Sequence, residues 1–366
     1  MANLRVLTIL GTRPEIIRLS RILAYLDRSL GIDNHKILHT GQNWDPKLSG
    51  NFFKELNIRL PDFVSNAKIQ GLSAQLSHIY QQVESAIRQF APHKALILGD
   101  TNSGLSALIC ERLGVPVYHM EAGNRCYDLQ VPEELNRRVI DTISSVNLPY
   151  TELSRQNLLR EGRPNEKIFV IGNPIAEVLE YYKKNIADSE ILQRLHVQSR
   201  QYVLVTAHRA ENVDDPTRLK NIIEALKQIS QDKSIIFSCH PRTQQKITAL
   251  QINLSDHDIR ICEPLGFFDF VHLEQQSFCA ITDSGTVQEE MCIFRRPSIT
   301  IRNSTERPET VWCGSNIVSG LDVDQILNSY DQCHHMSTDW HLPEGYNLSS
   351  VSQKVSHILR SHERSL

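Results

Sequence analysis

Short β-rich runs alternate with amphipathic helices along this chain, and the alternation starts twice. Parallel strands need a crossover, so this order predicts two parallel α/β sheets. In the first half, residues 4–10 read as a buried strand followed by Gly11-Thr12-Arg13-Pro14-Glu15 and a helix to about Leu26. Residues 35–39 give a second strand. Residues 71–89 give a helix with apolar spacing at Leu72, Leu76, Ile79, Val83 and Ile87. A strand at 95–98 ends on Gly99-Asp100, and a helix over 103–113 leads to the strand 115–120, which delivers Glu121. Pro132 suits a first helical position, with Glu133 and Glu134 in the turn where the dipole favours acids. Gly172-Asn173-Pro174 is a turn signal and the expected hinge. Strands then recur at 202–206, 234–239, 259–261, 279–282 and 298–301, with a helix over 218–229 and a closing amphipathic helix at 351–360.

A chain of 366 residues exceeds what one core ordinarily fills, so two domains follow. We place the boundaries at 1–171 and 172–346, with a helix at about 347–366 completing the first domain. A formal net charge of -3 and the lack of a dense Lys/Arg run give no reason to expect nucleic acid. The early apolar run, Val6 to Leu10, is too short for a signal peptide or membrane span, and we expect a cytoplasmic protein. The eight cysteines form no Cys-x-x-Cys pair, which fits reduced, buried thiols and not a structural zinc site.

The polar groups lie where such folds bind ligands. Gly11 to Arg13, Asp100, Glu121, His208, His240 and Asp283 to Gly285 all follow predicted strand ends. Arg13 at the mouth of a glycine turn reads as a phosphate contact or as a solvated arginine at a helix start. Ser284, before Gly285 and Thr286, could cap a helix and hold a diphosphate, with Glu290 one turn in. The alternative is ordinary capping with first-turn acids. Phe270 could cover a base or belong to the core, and Arg307 is an anion contact or a loop salt bridge. His208 could assist a leaving group or be structural, and His240 carries a weaker form of the same signal. Glu133 and Arg137, four apart on a helix, could simply pair. Acid/base chemistry needs two carboxylates close together so that one stays protonated while the other is ionised. Asp100 and Glu121, with Glu133 from the loop beyond, would meet that need.

Taken in order, GTRPEIIR (11–18), HTGQN (39–43), LGDTNS (98–103), HMEAGNR (119–125), PEELNR (132–137), TAHRAEN (206–212), TDSGTVQEE (282–290) and TERPE (305–309) resemble the non-hydrolysing UDP-N-acetylglucosamine 2-epimerase family nearly end to end. The resemblance implies a GT-B-like fold of two Rossmann-type, doubly wound domains facing across a cleft, with the last helix crossing back onto the first. It implies a homodimer, a UDP-linked 2-acetamido sugar as substrate, and no metal or redox cofactor. It also implies inversion at carbon 2 by elimination of UDP to a 2-acetamidoglycal and re-addition. By motif, Asp100, Glu121 and Glu133 match the acid/base carboxylates and His208 the histidine near the leaving diphosphate. Arg13, Arg137, His240, Ser284, Gly285, Thr286, Glu290 and Arg307 match substrate or UDP contacts, and Phe270 the position beside uracil.

Departures are informative. Arg18 replaces a usual lysine, Ala210 a usual arginine and Thr286 a usual glycine. Asn43-Trp44-Asp45 lacks the ordinary Gln-His pattern, which puts regulation by a second UDP-GlcNAc in doubt. Residues 124–128 (NRCYD), with Val131-Pro132-Glu133-Glu134, are more similar to the branch making UDP-N-acetyl-L-fucosamine from UDP-2-acetamido-2,6-dideoxy-L-talose for capsule or O-antigen. The alternatives are a UDP-GlcNAc/UDP-ManNAc epimerase and an L-rhamnosamine-to-L-quinovosamine variant. A GT-B glycosyltransferase or a silent UDP-sugar binder would share the fold without needing three acids.

Overall fold

The computed structural model describes residues 4–42, 49–65 and 69–361, with 49–51 described by backbone alone. Asn43-Trp44-Asp45 and the last five residues of the expected closing helix lie outside the described residues. The chain divides into two compact units, one of Met1–Glu180 with Glu344–Leu366 and one of Tyr181–Pro343.

The first unit holds six parallel strands: β1 (Val6–Leu10), β2 (His35–His39), β3 (Phe63–Val64), β4 (Lys94–Leu98), β5 (Val117–Met120) and β6 (Val146–Leu148). Their order is β3-β2-β1-β4-β5-β6, so the winding reverses between β1 and β4. Every residue of β1 and β4 is buried. Helices cover both faces of such strands, which explains why they read as unbroken apolar runs. The helix Leu72–Phe90 lays Ile79, Val83 and Ile87 against Leu7, Ile9 and Ile97. Each such side chain contributes roughly 1.5–3 kcal/mol by leaving water. The closing helix, Val351–Ser361, packs on the helix Arg13–Leu30. Lys94 Nζ donates to its Leu359 carbonyl at 2.5 Å.

The second unit repeats the plan with β7 (Tyr202–Thr206), β8 (Ser234–Ser238), β9 (Ile259–Cys262), β10 (Cys279–Thr282), β11 (Ser298–Thr300) and β12 (Asn316–Val318). The order β12-β11-β10-β7-β8-β9 puts the reversal between β7 and β10. In each sheet the strand ends beside the reversal carry the polar loops, as doubly wound sheets require of a ligand site.

Two details differ from expectation. The helix expected over 103–113 opens as a 3-10 turn, Gly104–Ser106, before Ala107–Arg112. Strands β3, β6 and β12 have only two or three residues, too few for a periodic signal.

Candidate active site

In the first unit four strand ends converge. After β1, Glu15 folds back over its own helix start: its Oε2 accepts from Gly11 N at 2.5 Å and Thr12 N at 3.0 Å, and its Oε1 from Thr101 Oγ1 at 2.6 Å. Gly11 has no room for a side chain, since a Cβ there would collide with the Ser103 and Thr40 hydroxyls. After β2, Thr40 Oγ1 meets Ser103 Oγ at 2.7 Å, and Gln42 Oε1 accepts from Ser103 N at 3.1 Å. The second and third motifs are thereby knitted into one surface around Asp100.

Asp100 and Glu121 share one guanidinium. Arg137, 2 % exposed, pairs through Nη2 with Asp100 and lies 3.8 Å from Glu121 Oε1. Arg18 approaches Glu121 from its own helix, donating to Oε2 at 2.6 Å. Two carboxylates thus meet two arginines at a largely water-excluded edge. Such a cluster is stable only if every charge keeps its partner. Glu15 adds a third carboxyl: burial raises it to about 7, opposed by its three hydrogen bonds and reinforced by the negative Asp100.

Glu121 reaches this position through an unfavourable backbone. It has φ 65°, in a region that costs a side-chain-bearing residue roughly 1–2 kcal/mol. A buried network fixes the turn. Asp141 Oδ2 accepts from Gly123 N at 3.0 Å, and Asp141 Oδ1 lies 2.8 Å from His119 Nδ1, whose Nε2 meets the Gly99 carbonyl at 2.8 Å. Arg125 joins Asp141 at 2.8 Å to Glu161 at 2.5 Å. Burial alone would raise the Asp141 carboxyl, but His119 and Arg125 hold it below its ordinary value. Residues one before Asp100 and two either side of Glu121 are therefore tied to the same carboxylate network.

Glu133 stands half-buried in the first turn of the helix Pro132–Ile143. Glu134 beside it, expected to be only a helix-start acid, is fully buried and accepts from Cys126 N at 3.0 Å and Arg138 Nε at 2.8 Å. Arg13 is half-buried with its guanidinium 5.3 Å from the Phe52 ring centre.

In the second unit Asp283 organises the edge. Its Oδ2 accepts from the backbone N of His208 and Arg209, each at 2.9 Å, and from Asn212 Nδ2 at 3.2 Å. His208 Nδ1 lies 3.2 Å from Asp283 Oδ1 with about half of the side chain exposed, so the ring is oriented but open to a ligand. The expected Ser284 cap is absent: Ser284 precedes the helix Gly285–Ile293, but its side chain makes no capping bond, while its backbone N donates to Thr282 Oγ1 at 3.0 Å. The Thr282 hydroxyl fixes the turn and leaves the serine hydroxyl at the helix start. A Cβ on Gly285 would lie 3.7 Å from the guanidinium of the buried Arg307, so the helix start and that cation are neighbours. Thr286 is half-buried beside it. Arg307 is held by Glu289 Oε1 and donates to the Glu306 carbonyl at 3.1 Å. Glu290 is 3 % exposed. Burial first, and then Glu290, push the Glu274 carboxyl well above its usual range. His240 is exposed and its Nδ1 accepts from Arg242 N at 3.2 Å, capping the helix Pro241–Ala249. Phe270 is half-buried against the cluster of Leu204, Leu273 and Met291.

Glu15, Arg18, His119, Arg125, Asp141 and Glu134 were missed as site residues by sequence reasoning. Thr12-Arg13-Pro14-Glu15 does carry the Thr-x-x-Glu helix-start spacing, which could have found Glu15. No short-range pattern announces His119 with Asp141, because that contact spans 22 residues.

Two doubly wound units, one with paired carboxylates at its sheet edge and one with a polar helix start, define an α/β enzyme of the GT-B-like class. The profile of the family described as "Epimerase_2: UDP-N-acetylglucosamine 2-epimerase" matches residues 28–360, and the chain belongs to this family of isomerases. It is 39% identical over 362 residues to the UDP-N-acetylglucosamine 2-epimerase of Methanocaldococcus jannaschii, covering 96% of this chain and 97% of that one. It is 33% identical over 330 residues to the UDP-2,3-diacetamido-2,3-dideoxy-D-glucuronate 2-epimerase of Pseudomonas aeruginosa, covering 89% and 91%. A crystal structure of the M. jannaschii UDP-GlcNAc 2-epimerase in complex with UDP-GlcNAc and UDP superposes with a TM-score of 0.92 at 36% identity, over 98% of this chain and 100% of that one. Among the described residues no helix is long and apolar enough to cross a membrane, and no cluster of His, Cys, Asp and Glu could hold a metal.

Proposed function

We propose that this chain inverts carbon 2 of a UDP-linked 2-acetamido sugar, with the proton-transfer groups in the first unit and the diphosphate-handling groups in the second. The observation that carries the reading is the shared guanidinium: Arg137 engages both Asp100 and Glu121, with Arg18 on the far side of Glu121. Carbon 2 has no adjacent carbonyl, so its proton cannot leave as in a simple enolisation. In the proposed route a carboxylate takes that proton, the carbon 1–oxygen bond breaks, and UDP departs with the electron pair. A carbon 1–carbon 2 double bond remains in a bound 2-acetamidoglycal. Protonation of carbon 2 on the other face and attack of a UDP oxygen on carbon 1 complete the inversion. Asp100, Glu121 and Glu133 are the proposed acid/base set. His208, oriented by Asp283 yet half exposed, is the proposed stabiliser of the leaving diphosphate. Ser284, Gly285, Thr286 and Arg307 supply backbone, hydroxyl and cationic contacts at a helix start, which suits an anion. Arg13, His240, Phe270 and Glu290 complete the proposed contacts. The relatives named for UDP-GlcNAc, and the structure solved with UDP-GlcNAc and UDP, support the UDP-sugar class.

The finer reading is UDP-2-acetamido-2,6-dideoxy-L-talose to UDP-N-acetyl-L-fucosamine, for surface polysaccharide. It is supported by the loop after Glu121: Tyr127 is 61% exposed at φ 59° beside the carboxylate turn. Its hydroxyl donates to Asn157 Oδ1 at 2.9 Å, which restrains the ring within the loop proposed to discriminate between sugars. Incubation with UDP-GlcNAc, the L-talo sugar and the L-rhamno sugar, with products resolved by NMR, tests it. Faster conversion of the L-talo sugar is expected, and conversion of UDP-GlcNAc alone would overturn the finer reading. A cytoplasmic homodimer is proposed with it. Leu135 and Val139, 48% and 47% exposed, share one helix face that a second copy could cover. Light scattering should give twice the chain mass; a monomer at micromolar concentration would contradict it.

A further inference from the structure

Cys292 and Cys313 lie with their sulfurs 3.7 Å apart. They come from different elements. Cys292 is fully buried near the end of the helix Gly285–Ile293, and Cys313 follows the helix Pro308–Trp312. Cys313 is half-buried, so an oxidant can reach one member of the pair while the other is sheltered behind it. Two contacts anchor the outer sulfur: Cys313 Sγ donates to the Thr310 carbonyl at 3.4 Å and lies 3.4 Å from Ser315 Oγ. The hydrogen bond between them lowers the Cys313 thiol and raises that of Cys292, and burial opposes the lowering at Cys313.

We propose that Cys292 and Cys313 form an oxidation site that closes to an intrachain disulfide when the protein meets a peroxide. In the first step the Cys313 thiolate sulfur attacks a peroxide oxygen and the O–O bond breaks. The departing hydroxide takes a proton and leaves as water, and Cys313 becomes a sulfenic acid. In the second step the Cys292 sulfur attacks the Cys313 sulfur, the S–O bond breaks, and the leaving hydroxide takes the Cys292 proton. Two thiols lose two electrons and two protons, and one peroxide becomes two waters. The bond ties the helix bearing Glu289 to the helix that Arg307 opens, so it clamps the Glu289–Arg307 pair. A second buried thiol couple, Cys279 with Cys333, has no half-exposed member, so it offers an oxidant no comparable entry.

The full chain is treated with hydrogen peroxide, remaining thiols are alkylated, and unreduced peptides are mapped by mass spectrometry. The expected result is a fall from eight free thiols to six, a peptide pair joining Cys292 to Cys313, and recovery with dithiothreitol. Cys313→Ser should keep its other seven thiols. Cys292→Ala, which leaves the half-exposed sulfur in place, should stop at a sulfenic acid trapped by dimedone. A Cys279–Cys333 bond in its place, equal thiol loss in Cys313→Ser, or over-oxidation of wild-type Cys313 without a cross-link would each overturn the proposal. None of these outcomes depends on which sugar the chain acts upon.

Discussion

Glu121 combines three things that rarely coincide by chance: a left-handed backbone, near-complete burial, and two arginines. Backbone strain of that kind persists only where surrounding structure over-determines it, and it concentrates at functional sites. Replacing Glu121 by Gln, or Asp100 by Asn, keeps the shape and removes the transferable proton. Turnover should fall by roughly 10²–10⁴-fold while UDP affinity, measured by calorimetry, stays close to that of the parent. Parent-like rates in both variants would remove the assigned roles. Glu15 makes a different prediction. Its native carboxyl is raised from 4.5 to about 7, so the folded state holds this proton more tightly than the unfolded chain does. That contribution to stability is complete below about 4.5 and is lost as pH rises through about 7. Glu15→Gln cannot lose a proton, so the wild-type Tm should decline relative to the variant between those limits. A constant offset across the range would show that Glu15 does not titrate there.

At the level of elements, the turn after β5 is the piece that positions Glu121. Gly123 has φ 78°, and a Cβ there would lie 2.8 Å from the Ser154 carbonyl carbon and 2.9 Å from Leu158 Cγ. Gly123→Ala should cost at least about 1–2 kcal/mol from the backbone alone, read as a lower urea midpoint. Turnover should drop further than stability explains, because Gly123 N is a donor to Asp141. An unchanged midpoint would show that the turn relaxes freely. The same element shows what a sequence can and cannot disclose. The long central strands were legible because burial on both faces leaves an unbroken apolar run, and Asp100 and Glu121 were legible because they end such runs. Sheet order, the short edge strands and the partners of His119 were not, because they depend on contacts between distant segments. Ser284 shows a limit of another kind: Ser-Gly before a helix signals a cap, yet the Thr282 hydroxyl holds the turn instead.

For the molecule as a whole, the two sheets share one strand plan while carrying different chemistry at their polar edges. One edge is rich in paired carboxylates and guanidinium groups, and the other offers a helix start with Ser284, Thr286 and nearby Arg307. A glycosyltransferase would need the second edge and an acceptor, but the proposed proton exchange at carbon 2 is not part of its reaction. The decisive measurement is therefore made in deuterated water, with UDP-GlcNAc and the L-talo UDP-sugar followed by NMR. Deuterium should enter at carbon 2 with UDP still attached in the recovered substrate and product, and in Glu121→Gln its entry should be slowed by roughly 10²–10⁴-fold. Epimer formed without deuterium at carbon 2, free sugar released with UDP, or sugar transferred only to an added acceptor would contradict a non-hydrolysing 2-epimerase.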